Sequence, residues 1–164
     1  MQMISKIDEK AINTLRVLSI EQSSYAKSGH PGIALGAAPI IHALFTKVLK
    51  IDPKNPDWID RDRFILAAGH GSSLLYSVLH LSDYGLTISD LRQFRKLHSK
   101  TPGHPEITIT KGVDATSGPL GQGIPEAVGM AIAEEFLRNK YNRDDLKLID
   151  HYTYVLCGDG DLQE

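Results

Sequence analysis

Two short apolar runs end on glycine turns, and that pairing constrains the fold more than any other feature of the chain. "RFILAAGHG" carries Phe64–Ala68 into Gly69-His70-Gly71, and "YTYVLCGDG" carries an aromatic and β-branched run into Gly158-Asp159-Gly160. The first reads as a short buried strand. The second reads as a buried strand that delivers an aspartate to a turn. Helical patterns lie around them. Ile12, Leu15 and Leu18 or Ser19 recur at helical spacing between about Ile7 and Lys27, where the corner "SGHPG" stops the helix. Ile41, Leu44, Phe45, Val48 and Leu49 fall on one helical face, with Pro39 expected in the first turn. Leu75, Val78 and Leu79 mark a helix that follows the Gly-His-Gly turn and ends near Gly85. Thr87 stands three residues before Asp90, a variant capping box that opens another short helix. "IPEAVGMAIAEEFLRNKYN" is helical, and its small residues Ala127, Gly129, Ala131 and Ala133 suggest close approach of another helix or subunit. Strands alternating with helices give the α/β class, with a mostly parallel sheet flanked by helices. Ligands of such sheets sit at the carboxyl ends of the strands, where both glycine turns fall.

Composition narrows the function. The chain has 164 residues and a formal net charge of -2, so no basic surface recommends nucleic acid as a partner. No apolar run reaches the length a bilayer demands, and no membrane role is expected. The start, "MQMISKIDEK", is charged and lacks the apolar stretch of a secretory signal. One cysteine, Cys157, excludes an internal disulfide framework and fits a reducing compartment, so a cytoplasmic location is expected. Cys157 itself lies in an apolar run and reads as packing.

Several turn residues can carry chemistry. An aspartate at a strand's end with glycines on both sides can approach a divalent cation and a phosphate closely, and Mg²⁺ typically takes only one or two protein carboxylates. Asp159 suits that role. Asp-Gly is also the commonest two-residue hairpin signal, and the tripeptide does not separate the two readings. His70, at a helix start, can join backbone N–H groups on a phosphate, or simply face water. The loop "SGPLGQG", residues 117–123, can pass its backbone close to a flat ring, with Leu120 as the apolar contact, or be a flexible linker. It ends a long stretch, "SKTPGHPEITITKGVDATSGPLGQG", whose length points to function or disorder. His30 and His104 each occupy a Gly-His-Pro corner, where a neutral imidazole can donate and accept near sugar hydroxyls. His42, His80, His98 and His151 read as ordinary polar residues.

Taken in order, "KSGHPG", "DRFILAAGHGSSLLYSVLHLSDYGL", "LRQFRKLHSKTPGHPE", "TSGPLGQGI" and "YTYVLCGDGDLQE" resemble the amino-terminal half of the transketolase family, and the resemblance covers essentially the whole chain. It implies a thiamine diphosphate-binding fold, with residues 1–164 as the amino-terminal part of the diphosphate-binding domain and the remaining domains absent. The family moves a two-carbon ketol unit from a ketose phosphate to an aldose phosphate, in the pentose phosphate pathway, using thiamine diphosphate and Mg²⁺ or Ca²⁺. The resemblance implies Asp159 as a metal ligand and Gly160 and His70 as diphosphate contacts. Gly118 and Leu120 are implied beside the aminopyrimidine ring. His30 and His104 are implied as substrate-binding and catalytic groups that handle donor-sugar hydroxyls. Glu164 is implied as a link between the two subunits of a homodimer. The partner-domain glutamate and the rest of the metal shell would lie outside this chain, so the chain alone is expected to be inactive. Asp161 stands where other family members carry different residues; it adds negative charge near the implied metal site, and its coordination role stays open. Two other readings are a dihydroxyacetone synthase-like transferase and a non-catalytic split or interaction module of the same fold.

Overall fold

The capping box Ser5–Asp8 starts helix α1, Lys6–Ala26, in which the Ser5 hydroxyl and the Asp8 backbone N–H are partners across one turn. This computed structural model describes residues 5–164; the first four residues of the charged start lie outside the described residues. Lys27 adopts a left-handed conformation and closes α1, in the corner the sequence marks as a stop. The chain divides into two compact units. The first holds residues up to Leu49 and then His70–His104; the second holds Lys50–Gly69 and Pro105–Glu164.

In the first unit, α1 packs on α2, Pro31–Ala43, and on α3, Ser72–Leu81. The α1–α3 seam is polar and buried. Gln22 donates from Nε2 to the Ser73 carbonyl and to Ser77 Oγ, each at 2.9 Å, and Ser19 and Ser77 share a hydrogen bond of 3.1 Å. Small hydroxyl residues let the two helices approach, and these bonds satisfy part of the polar groups buried between them. Helix α4, Ile88–Leu91, begins at the expected Thr87–Asp90 capping box, with both reciprocal bonds formed.

Three expectations for α2 are corrected. Pro39 sits inside the helix, not in its first turn, and Pro31 takes the first-turn position. A proline there removes the N–H that would bond the Leu35 carbonyl. Arg16 of α1 fills the gap by donating its Nε to Leu35 O at 3.1 Å. The helix then widens into a π turn over Leu44–Val48, closed by Leu49 N–H on Leu44 O at 2.9 Å. That change of period breaks the single apolar face: Ile41 is buried but Val48 is exposed. Pro31–Val48 is also, by length and composition, long enough to cross a bilayer, contrary to the sequence expectation. Ala34, Ala37, Ala38 and Ile41 pack it into the first unit beside α1 and α3, while Leu35, Ile40 and Val48 stay exposed.

In the second unit, β1, Arg63–Leu66, and β2, Thr153–Leu156, pair in parallel, in register from Arg63↔Thr153 to Leu66↔Leu156. Asp62 sets this register by accepting from Tyr152 N–H at 2.8 Å and Lys50 N–H at 2.7 Å. β1 is shorter than the expected 64–68, because Ala67 and Ala68 both direct their N–H groups to Leu156 O, the last carbonyl of β2. β2 is half-exposed rather than buried, since β1 flanks it on one side only; Val155 is 38% exposed. Helix α5, Gly123–Tyr141, lies on both strands, and Ile65, Ala115 and Ala127 form the core between them with Met130 against it. The long segment before α5 is ordered without helix or strand. Asp114 anchors it by accepting from Phe64 N–H at 2.7 Å and pairing with Arg61 at 2.5 Å.

Candidate cofactor and substrate site

In the first unit the histidine corners come together. Gly29 has φ +147°, and a Cβ there would lie 2.4 Å from Ser23 Oγ, so only glycine passes the chain at this point. His30 follows as the N-cap of α2, exposed and with no capping bond from its side chain. His70 occupies a short 3₁₀ turn, Gly69–Gly71, ahead of α3. Its ring meets that of His30 edge-on, with centroids 5.2 Å apart and planes at 77°. The His104 corner is tied to α3 by buried groups: Ser72 Oγ donates to Gly103 O at 2.7 Å, and Tyr76 Oη donates to Pro102 O at 2.9 Å and His104 O at 3.2 Å. His104 has its pKa pushed below the ordinary histidine value, first by desolvation and then by the charges of Arg95, His30 and His70. A neutral imidazole at working pH suits exchange of hydroxyl protons.

Arg95 is a member of this cluster that the sequence reading missed. It donates to Ser28 Oγ at 2.7 Å, two residues before His30, and its side chain lies against Gly103, one residue before His104. Its φ of +62° is unusual for a residue with a Cβ. "FRKLH" carries no turn signal, so nothing in the sequence advertises that conformation.

In the second unit, the parallel register puts the carboxyl ends of β1 and β2 side by side. Loop residues close over that end. Ser117 Oγ donates to Leu66 O at 2.6 Å, and a Cβ on Gly69 would fall 2.6 Å from Ser117 O and 3.1 Å from Gly118 N. The backbone of Gly118 is thus held against the end of β1. Leu120 beyond it is 42% exposed, an apolar side chain open to a ligand. Gly121, at φ +82°, lies against Glu164, where a Cβ would be 2.9 Å from that residue's Cβ.

From β2 the chain passes Cys157 and Gly158 and turns through Asp159 into a short 3₁₀ turn, Gly160–Gln163. The two readings of the Gly-Asp-Gly sequence separate here: the chain goes from Asp159 into a 3₁₀ turn over Gly160–Gln163, which is not the geometry of a two-residue hairpin loop. Asp159 is exposed, and among the described residues its carboxylate makes no hydrogen bond or ion pair. A Cβ at Gly160 would meet nothing within 4 Å, so the space over the turn is open. Among the described residues no group of three or more His, Cys, Asp and Glu is placed to enclose a metal. One free hard oxygen beside open backbone fits a Mg²⁺ or Ca²⁺ that takes its remaining ligands elsewhere. His42 bonds Asp8 at 2.9 Å, His80 Nδ1 lies 2.6 Å from Leu86 O, and His151 is buried with its pKa pushed down, first by desolvation and then by Arg63.

The transketolase thiamine diphosphate binding domain matches residues 7–164. The chain belongs to the transketolase family. It is 60% identical over 158 residues, 96% of its length, to the transketolase of Bacillus subtilis (strain 168), and 59% identical over 162 residues, 99% of its length, to that of Geobacillus stearothermophilus. It spans about a quarter of the length of these relatives, 24% of each. Among solved structures it resembles Pichia stipitis transketolase in complex with sedoheptulose-7-phosphate, with a TM-score of 0.95 and 51% identity over 98% of this chain and 24% of that one. It also resembles Campylobacter jejuni transketolase, with a TM-score of 0.92 and 54% identity over 99% of this chain and 25% of that one. The α/β, parallel-sheet architecture expected from the sequence is the thiamine diphosphate-binding fold of this transketolase family.

Proposed function

We propose that this chain is the cofactor-binding part of a transketolase, which transfers a two-carbon ketol unit between sugar phosphates as thiamine diphosphate chemistry. The observation that carries this reading is the shared carboxyl end of β1 and β2, where the Ser117–Gly118 backbone is held against Gly69 and Asp159 leaves its carboxylate unpaired. When bound, the cofactor supplies the nucleophilic carbon and electron sink for carbon–carbon cleavage.

The chain's own groups then have distinct tasks. Asp159 ligates Mg²⁺ or Ca²⁺ and so offsets diphosphate charge, and Gly160 lets that diphosphate approach the backbone. Gly118 and Leu120 bound the aminopyrimidine ring. In the first unit, His70 hydrogen-bonds the diphosphate. His30 and His104 hold sugar hydroxyls and move their protons, a task that the depressed pKa of His104 favours. The Pichia stipitis complex holds sedoheptulose-7-phosphate, which supports sugar phosphates as substrates of this chain's parent enzyme. A homodimer is part of the same reading, and Glu164 joins its two halves. The bare α5 stripe of Val128, Ile132 and Phe136, 53%, 66% and 64% exposed, supports it as the surface that a second copy covers. A place in the pentose phosphate pathway and a cytoplasmic location complete it, the latter supported by a single, unbridged cysteine.

Asp159→Ala in the complete polypeptide tests the reading. The variant should lose thiamine diphosphate on dialysis in Mg²⁺ while the parent retains it. Equal retention by the two proteins would remove Asp159 from the metal site. For the 164-residue chain alone, calorimetry should show weak or no cofactor binding, because it offers a single carboxylate ligand.

A further inference from the structure

The Asp159 turn is held by a neighbour that no part of the assignment above employs. Asp161 is 3% exposed, and its Oδ2 accepts from the backbone N–H of Gly158 at 2.6 Å. Gly158 lies two residues past the end of β2, beyond the last ladder bonds, which close on Leu156 O. Its N–H has no strand to pair with, and a half-buried amide without an acceptor is costly. The carboxylate reaches back across Asp159 to supply that acceptor, as the acidic residue of a capping box reaches back to its N-cap. The bond brackets Asp159: with Gly158 fixed on one side and Asp161 buried on the other, the backbone that carries the Asp159 side chain is held in place. Leu162 N–H on Asp159 O, at 3.2 Å, closes the same turn from the main chain.

The burial has a cost that a spacer would not need. Asp161 Oδ1 is buried with no protein partner. An amide or hydroxyl side chain would be cheaper to bury, so the carboxylate's strong bond to Gly158 has to be worth that cost. We infer that Asp161 is a positioning residue, which aims the Asp159 carboxylate by clamping the Gly158 N–H. The inference rests on the reading of Asp159 as the metal ligand. Asp161 itself touches neither metal nor cofactor in this account.

The test uses the complete polypeptide with thiamine diphosphate and Mg²⁺ as the probe, and two readouts. The first is hydrogen exchange in peptides spanning residues 155–162, without cofactor. The second is cofactor affinity by calorimetry, well below each variant's melting temperature. Asp161→Ala should speed exchange at the turn by about tenfold or more, the loss expected for a charge-assisted bond, and weaken cofactor binding by at least about fivefold. Asp161→Asn keeps an acceptor oxygen but loses the charge, and should fall between the parent and Asp161→Ala in both readouts. Ala127→Gly, which weakens α5 away from the turn, should leave affinity unchanged, so that lost stability is separated from lost aim. If Asp161→Ala does not fold, Asp161→Ser, too short to reach Gly158, takes its place. Unchanged exchange at the turn would overturn the inference, and so would faster exchange with parental affinity. A parent that binds no cofactor would instead refute the reading of Asp159 itself.

Discussion

Ser117 donates its hydroxyl to the Leu66 carbonyl at 2.6 Å, with both residues buried. This bond joins the end of β1 to the loop that carries Gly118 and Leu120. Ser117→Ala leaves the Leu66 carbonyl without this donor. We expect a loss of about 1–3 kcal/mol in stability, read by chemical denaturation, together with faster exchange of the amides around Gly118.

Gly69 faces the same loop with no room for a side chain. A Cβ there would meet backbone, Ser117 O at 2.6 Å, and backbone cannot swing aside as a side-chain tip can. Gly69→Ala should lower the melting temperature and displace the 117–118 loop, with weaker cofactor binding in the complete polypeptide. Gly32 is the control: a Cβ meets nothing within 4 Å, and it lies in helix α2. Gly32→Ala should be neutral, or stabilising by about 0.5–1 kcal/mol.

The His104 ring should titrate below the ordinary histidine value of 6.5. The unfolded chain then takes up this proton at a higher pH than the folded chain does. The stability contribution is therefore complete above about pH 6.5 and falls away as the pH drops through the folded midpoint. Ring proton shifts measured by NMR against pH give the midpoint directly. His104→Asn should flatten the acid side of the curve of melting temperature against pH, and the slope that remains should include His151, which is shifted in the same direction.

Asp114 holds Phe64 N–H and the Arg61 guanidinium at once, and its side chain is only 5% exposed. Asp114→Ala strands both partners, and breaking a buried pair in this way typically costs about 3–5 kcal/mol. Asp114→Asn still accepts from Phe64 and should recover part of that loss. Urea denaturation of the three proteins gives the order.

The α5 stripe tests the proposed homodimer. Phe136→Glu places a charge on the exposed apolar face at i, i+4, i+8 with Ile132 and Val128. Sedimentation of the complete polypeptide should shift toward monomer. An unchanged dimer would assign this face to another part of the same chain.

Much of the architecture was legible in the residues. The Thr87–Asp90 capping box, the stop at Lys27 and the two apolar runs before glycine turns are local signals. Each acts over a few residues, where backbone sterics and capping bonds dominate. Pro39 was misplaced for a related reason. A proline reads as a helix start, and what permits it in mid-helix is Arg16, 19 positions away from the carbonyl it covers. The apolar residues of β2 point to a buried strand, yet burial depends on what lies beside a strand. Arg95 gave no signal at all, since its value lies in meeting Ser28 and Gly103 from another part of the chain.

By itself the sequence determined the alternation of strands and helices, the glycine corners and the chemistry available at His30, His70, His104 and Asp159. These follow from local conformational preference and side-chain type, which travel with the chain. Tertiary structure alone decided the register that sets Leu66 opposite Leu156, that the Ser117 loop closes on Gly69, and that Asp161 clamps Gly158. Those outcomes depend on burial and on hydrogen bonds between distant segments, and such interactions exist only once the chain has folded.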